Sequence, residues 1–472
     1  MNKKLNVFIE IPVLVKFLIV LYFVVFVLTE NLLQLAHEKE PSVAIITIVI
    51  LNILTGALGI FPFFLRGFGL LHLLIFPDLI GLFKGFAKNP VGFFELSYEN
   101  GVILNTTSAG YIPPYSLIDL NLQSTFLTFI WIIFVYVGYF YSNPQLSLQL
   151  KGIAKTASQK RFYLLSLVAV IVIMVFFYSV GGVTSWISTW GLAGGRDKAA
   201  EGLGPIMRLL KVAYFIPLIW YLLKGTKVFR NPVFLLILLL TISVGFFSTG
   251  SRSSVITVIL AFFVVYMIKT HKIPKVVPVI SFFVAVFLFG LLGQIRSEST
   301  YNQGRFAWEN IEFDIKENIE DAGQEAEAWA GLGTSIAIYD KVPDEIDYLY
   351  GKSYVAFIMF WIPRAIWSDK PHSAGYYTGR EIFNSGGGVP PPPNAEAFWN
   401  FGYLGVIIIA FVQGVLSKLI VNTFRQYYFV PGVVIFYVFI LISGFSMSTL
   451  VLTALLQSSI FIFLVLKYLR LI

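Results

Sequence analysis

Long apolar runs fill this chain, and every second polar segment between them is rich in lysine and arginine. A bilayer core takes roughly 20 apolar residues as a helix, with about 17 to 25 tolerated. On that measure the sequence predicts spans near 12–29, 42–62, 67–83, 123–141, 162–181, 206–223, 232–248, 253–269, 276–293, 402–418, 430–447 and 450–468. Basic residues concentrate in cytoplasmic loops. With the N-terminus inside, the inner segments carry Lys3 and Lys4, Arg66, Lys151 to Arg161, Lys224 to Arg230, Lys269 to Lys275, Lys418 and Arg425, and Lys467 and Arg470. The alternation holds to the C-terminus. The expected fold is an all-α polytopic membrane protein with about twelve transmembrane helices and both termini cytoplasmic.

Composition agrees. Charged residues make up 13% of the chain and mean hydropathy is +0.79, whereas a soluble domain is roughly a quarter charged. The net charge of +8 follows from the basic inner loops, so nucleic acid is not an expected partner. With no cysteine in the chain, disulfides and thiolate-held metals are excluded. The opening "MNKKLNVFIEIPVLVKFLIVLYFVVFVLTE" has no small-residue cleavage site and is expected to be a retained first span.

Three parts are expected: residues 1–293 with spans one to nine, an outer loop of residues 294–401, and residues 402–472 with the last three spans. The loop holds 16 of the 26 acidic residues. Within it, Trp308, Ile311, Ile315 and Ile319 recur at helical spacing, which predicts an amphipathic helix. "SYVAFIMFWIP" is apolar but too short to cross. Crossing there would place Lys418 and Arg425 outside, so an interfacial or re-entrant segment is expected. "GGGVPPPPN" reads as a flexible, then stiff, linker.

Arginine breaks the charge rule. Seven of twelve fall on the expected outer side: Arg196, Arg208, Arg252, Arg296, Arg305, Arg364 and Arg380. Lysine shows the opposite bias. The guanidinium fork matches phosphate in a bidentate way, so a phosphate-bearing ligand presented from outside is expected. Arg252 lies in the short turn "STGSRSSV", Arg196 among the glycines of "GLAGGRDKAAEGLG". Arg364 follows Pro363, and Lys370 comes shortly after. For each, an ordinary role stands beside the functional one: snorkelling to headgroups, or pairing with a nearby acid.

Acid–base candidates are His372, Asp369, Glu381 and Glu396. Glu396, beside Phe398 and Trp399, is either a carboxylate poised to exchange a proton or one that caps or pairs. His72 and Asp78, inside an expected span, are suspects by position. No Walker loop, HExxH, GxSxG or Asp-rich pair is present, so no cofactor is expected and any catalysis is expected to be metal-independent.

The Gly-rich "GGVTSWISTWGLAGGRDKAAEGLG", the "TGSRSS" turn, and "IPRAIWSDKP" followed by "PPPNAEAFWNFGYLGV" together resemble bacterial O-antigen or oligosaccharide-repeat polymerases of the Wzy type, over roughly residues 160–420. The resemblance implies a GT-C-like membrane glycosyltransferase of the bacterial cytoplasmic membrane. It would join undecaprenyl-diphosphate-linked repeat units into O-antigen or capsule on the outer face, releasing undecaprenyl diphosphate. Under it, Arg252 and Arg364 would hold the donor diphosphate, with Lys370, Arg296 and Arg380 as further cations. Arg196 would hold the acceptor, and Glu396 or His372 would do acid–base work. Tyr376, Tyr377, Phe398 and Trp399 would stack on sugars. Membrane lipids and a chain-length regulator protein are the implied partners. A lipid-linked oligosaccharide flippase and an O-antigen ligase are the competing readings.

Overall fold

The computed structural model describes residues 8–37, 40–79, 117–149, 158–189, 195–200, 202–213, 215–249, 252–274, 332–362, 364, 366–384 and 388–471. Among them the regular structure is helical throughout, without strands. Six helices of the described residues are long and apolar enough to cross a membrane, or seven if one bent pair counts as a single span. The expected ninth span, the segment 84–116 and the amphipathic helix at 308–319 lie outside the described residues.

The Gln159–Ser179 helix shows what solvent this fold is built for. It buries Phe162, Ser166, Ala169, Ile173 and Phe176, which recur at the spacing of one helix face. Its other face exposes Leu164, Leu167, Ile171 and Met174. A helix apolar on both its packed and its exposed sides belongs in lipid.

Several spans differ from their expected form. Residues 67–79 run mostly through turns rather than one helix. The stretch 206–223 is divided between helices Gly204–Ala213 and Phe215–Lys224. The helical stretch Phe215–Arg230 meets Pro232–Gly245 at 116°, at the basic loop expected between the spans 206–223 and 232–248. Helix Val13–Tyr22 continues through a π-helical stretch, Phe23–Leu28, into Thr29–His37.

Among the described residues the longest element is the helix Pro393–Tyr427. The prolines before it hold extended backbone, and proline suits the first helical turn because its missing N–H has no partner there. Inside it, Phe401 and Gly402 leave helical geometry, Gly402 with φ 65° and ψ −154°. That backbone region is open essentially to glycine alone, so Gly402 places the kink.

Below the kink this helix lies against helix Leu117–Tyr141. A Cβ on Gly138 would collide with the backbone carbonyl of Phe411, and one on Gly414 with that of Val135. The crossing is therefore backbone on backbone, the small-residue packing of membrane helices. Above the kink, Phe398 and Trp399 join Trp131, Ile338, Tyr339 and Leu349 in a core. The Trp399 indole N–H donates to the Asp347 carbonyl, and the Leu349 N–H donates to the Trp399 carbonyl at 2.9 Å. This core seats helix Leu332–Lys341, Leu349, Ile382 and the start of the long helix on the end of the bundle.

Candidate functional site

The segment from 352 to 384 builds a cluster of cations and aromatic rings. Its apolar start forms only the short helix Lys352–Ile358 and then turns. Ile358, Trp361 and Ile366 stay largely exposed, Ile366 at 79%. An exposed apolar rim with a tryptophan suits the boundary between lipid and water. Lys370 closes this turn by donating to the carbonyls of Phe360 and Ile362, at 3.2 and 3.0 Å.

Arg364 is held by its own loop. Nη1 donates to the Ser368 carbonyl, and Nη2 donates to the Pro371 carbonyl at 3.1 Å and to His372 Nδ1 at 3.0 Å. A guanidinium has five N–H donors and no acceptor, so these contacts occupy three and leave two. They also fix the histidine. Nδ1 must accept, which leaves its proton on Nε2 in the neutral ring. Burial, with Arg364 and Arg380 adding to it, lowers the His372 pKa from its ordinary value, which favours that neutral form.

The His372 ring stacks on Tyr376 at 3.6 Å between centroids, and its backbone N–H donates to Tyr377 Oη. Arg380 lies four residues after Tyr376, with its guanidinium 4.9 Å from that ring's centroid. A π-helical turn, Thr378–Ile382, carries Arg380. Glu381 follows it, exposed. Burial of part of its carboxyl raises the Glu381 pKa, and Lys352 partly opposes this. The resulting surface presents two guanidinium groups, an imidazole N–H and a carboxylate within one short segment.

Glu396 has other surroundings. It is 0% exposed. Ser353 Oγ donates to its Oε1 at 2.9 Å, the Thr449 backbone N–H donates to its Oε2 at 3.0 Å, and Thr449 Oγ1 donates to Oε1 as well. Asn400 completes the group, donating to Ser353 Oγ and to the Glu396 carbonyl. Thr449 starts the helix Thr449–Tyr468, whose first N–H groups lack helical partners and whose dipole favours an anion there. The geometry of Glu396 is that of a cap, supplied in trans by a neighbouring helix.

The other expected residues are placed as follows. Arg196 falls in helix Gly195–Ala199, and Arg252 begins helix Arg252–Thr270, with their side chains outside the description. Arg296 lies outside the described residues altogether. His72 is buried, its Nε2 2.8 Å from Tyr139 Oη, and its Nδ1 accepts the Leu74 N–H. Asp78 is exposed. Among the described residues, no three His, Asp or Glu side chains converge.

Sequence reasoning missed Ser353, Asn400 and Thr449. The four-residue spacing of Glu396 and Asn400 puts both on one helix face and was readable. The contacts with Ser353 and Thr449, 43 and 53 residues from Glu396, carried no local signal.

A model of the O-antigen polysaccharide polymerase Wzy family matches residues 11–472. No curated relative and no solved structure matches the chain.

Proposed function

Because the chain belongs to the O-antigen polysaccharide polymerase Wzy family, we propose that it lengthens a surface polysaccharide from undecaprenyl-diphosphate-linked repeat units. The reaction is glycosyl transfer on the outer face of the bacterial cytoplasmic membrane. An acceptor hydroxyl attacks the anomeric carbon of the donor chain and the new glycosidic bond forms. The bond from that carbon to the diphosphate oxygen breaks, and that oxygen leaves with the electron pair.

The observation that carries this reading is the Arg364–His372–Tyr376–Arg380 cluster beside an exposed apolar rim. Negative charge grows on the leaving diphosphate, and donors fixed in advance stabilise it without reorganising. Arg364, Arg380 and the His372 Nε2–H fill that role at the lipid boundary. Arg252 and Arg196 complete the anion sites for donor and acceptor. Glu381 takes the proton of the attacking hydroxyl. Its exposure makes it reachable, and its raised pKa makes it a stronger base than an ordinary carboxylate. Glu396 acts as a positioning residue that holds the segment on the bundle.

Reconstitution with lipid-linked repeat units tests the proposal. Polymer ladders retained on diphosphate lipid are expected, and Arg364→Ala should lower ladder formation by roughly a hundredfold, the scale of losing one such donor. Transfer to lipid A core would instead identify a ligase. Movement of lipid-linked units across sealed vesicles without a new glycosidic bond would identify a flippase.

A further inference from the structure

At the end of the long helix away from Glu396, Lys418 and Arg425 stand two turns apart on one face. Together with Arg66, Gly67 and Tyr139 they line a cavity of about 1120 Å³. Of its fourteen lining residues three are cations, Arg66, Lys418 and Arg425, and none is acidic. The Lys418 ammonium lies 4.6 Å from the Tyr139 ring centroid. Arg425 Nη2 donates to the Gly67 carbonyl at 2.7 Å, which fixes the guanidinium and leaves other donors on it. Among the described residues, none of the three cations has a carboxylate in ion-pair range.

Like charges gathered in one partly enclosed space repel, and the low dielectric of the wall strengthens the repulsion. Such a cavity is stabilised by an anion. Its remaining lining offers the side-chain amides of Gln149 and Gln426 and aromatic walls, Phe68, Phe140 and Tyr428, while Asn422 donates to the carbonyls of Pro144 and Leu146. Lys418 and Arg425 lie 16 and 23 residues beyond the Gly402 kink, so at 1.5 Å per residue they sit roughly 24 and 35 Å from it. A hydrocarbon core is about 30 Å thick. The cavity therefore occupies the opposite membrane boundary from the Arg364 cluster.

We propose that this cavity is a second anion site, which binds a phosphate group at the membrane face opposite the polymerising centre. The group comes either from an anionic lipid headgroup of that leaflet or from a soluble phosphate. The site stands apart from the outer one, and its test reads binding, so it does not depend on polymer formation.

The purified full chain would be examined by native mass spectrometry with phosphatidylglycerol and phosphatidylcholine, and by calorimetry with inorganic phosphate and pyrophosphate. Preferential retention of phosphatidylglycerol is expected. At about 1 kcal/mol for each basic residue near a charged surface, Arg66→Gln with Lys418→Gln should weaken it about thirtyfold, and Lys418→Gln alone about fivefold. Lys418→Arg keeps the charge and should keep the binding, which separates charge from damage to the fold. If pyrophosphate binds the wild type and not the double variant, the occupant is a soluble anion. Equal retention of both lipids with no binding of phosphate or pyrophosphate overturns the proposal, as does a double variant that binds like the wild type.

Discussion

Arg364 spends three hydrogen bonds on its own loop before any substrate arrives, and that is what makes it useful. A guanidinium already oriented loses little entropy when it binds an anion and needs no rearrangement as charge develops. Lysine cannot reproduce a planar fork that reaches the Ser368 and Pro371 carbonyls together with His372. Arg364→Lys should therefore restore only a minor part of the ladder activity lost in Arg364→Ala, read in the same reconstituted assay. The histidine gives a sharper test. Burial first, then Arg364 and Arg380, lower the His372 pKa, so at neutral pH the ring is uncharged with its proton on Nε2. As pH falls through that lowered value, Nδ1 takes a proton and can no longer accept from Arg364. The acid limb of the activity profile is thus expected below the ordinary histidine value of about 6.5. Arg364→Gln removes one positive neighbour, so the His372 pKa should rise toward that value. The chain has four histidines, few enough to assign by NMR with labelled histidine, and an unchanged His372 titration in the variant would refute the coupling.

At the level of elements, two contacts decide whether the site has a platform. The first is the crossing of Leu117–Tyr141 with Pro393–Tyr427 at Gly138 and Gly414, where backbones touch. Membrane helices gain little from hydrophobic burial against one another, so close approach supplies the packing. Gly414→Val should separate the two helices, and its measured signature is loss of the folded, monodisperse protein on extraction in detergent. The second contact is the Glu396 cap on helix Thr449–Tyr468. Glu396→Ala leaves Ser353 and the Thr449 N–H buried without their acceptor, at a cost of about 3 kcal/mol. A lowered thermal midpoint in detergent is expected, with partial retention of activity at low temperature; complete loss of turnover in a stably folded Glu396→Gln variant would return this residue to the chemistry. These elements also mark what the sequence could carry. The apolar runs announced the long helices because a span needs a continuous stretch of such residues. The arginine bias pointed to the Arg364 segment because guanidinium on the expected outer face is costly without a use. The break between Phe215–Arg230 and Pro232–Gly245 falls in the basic loop expected between two spans, whereas the Ser353–Glu396–Thr449 clamp was hidden. Its partners lie 43 and 53 residues from Glu396 in the chain, which local composition does not encode.

For the molecule as a whole, charge and shape divide along the membrane normal. One end carries the Arg364 cluster with its apolar rim, and the other carries the cavity of Arg66, Lys418 and Arg425. Beyond its kink at Gly402 the long helix runs on to Tyr427, roughly 38 Å at 1.5 Å per residue, which is enough to reach from one boundary to the other. The proposed chemistry requires the Arg364 end to face outward, because its acceptor units are presented there. The lysine count predicts the same orientation by a separate argument, since basic residues concentrate in cytoplasmic loops. The absence of cysteine from the sequence makes this directly testable, because any thiol introduced is the only one. Ser368 and Thr226 are both exposed, the first beside Arg364 and the second in the basic segment 224–230. In intact cells with a permeable outer envelope, Ser368→Cys should react with a membrane-impermeant maleimide, whereas Thr226→Cys should react only after the cytoplasmic membrane is opened. The reverse pattern would put the Arg364 cluster in the cytoplasm, away from any acceptor on the outer face, and the polymerising centre would then have to be sought at the other end.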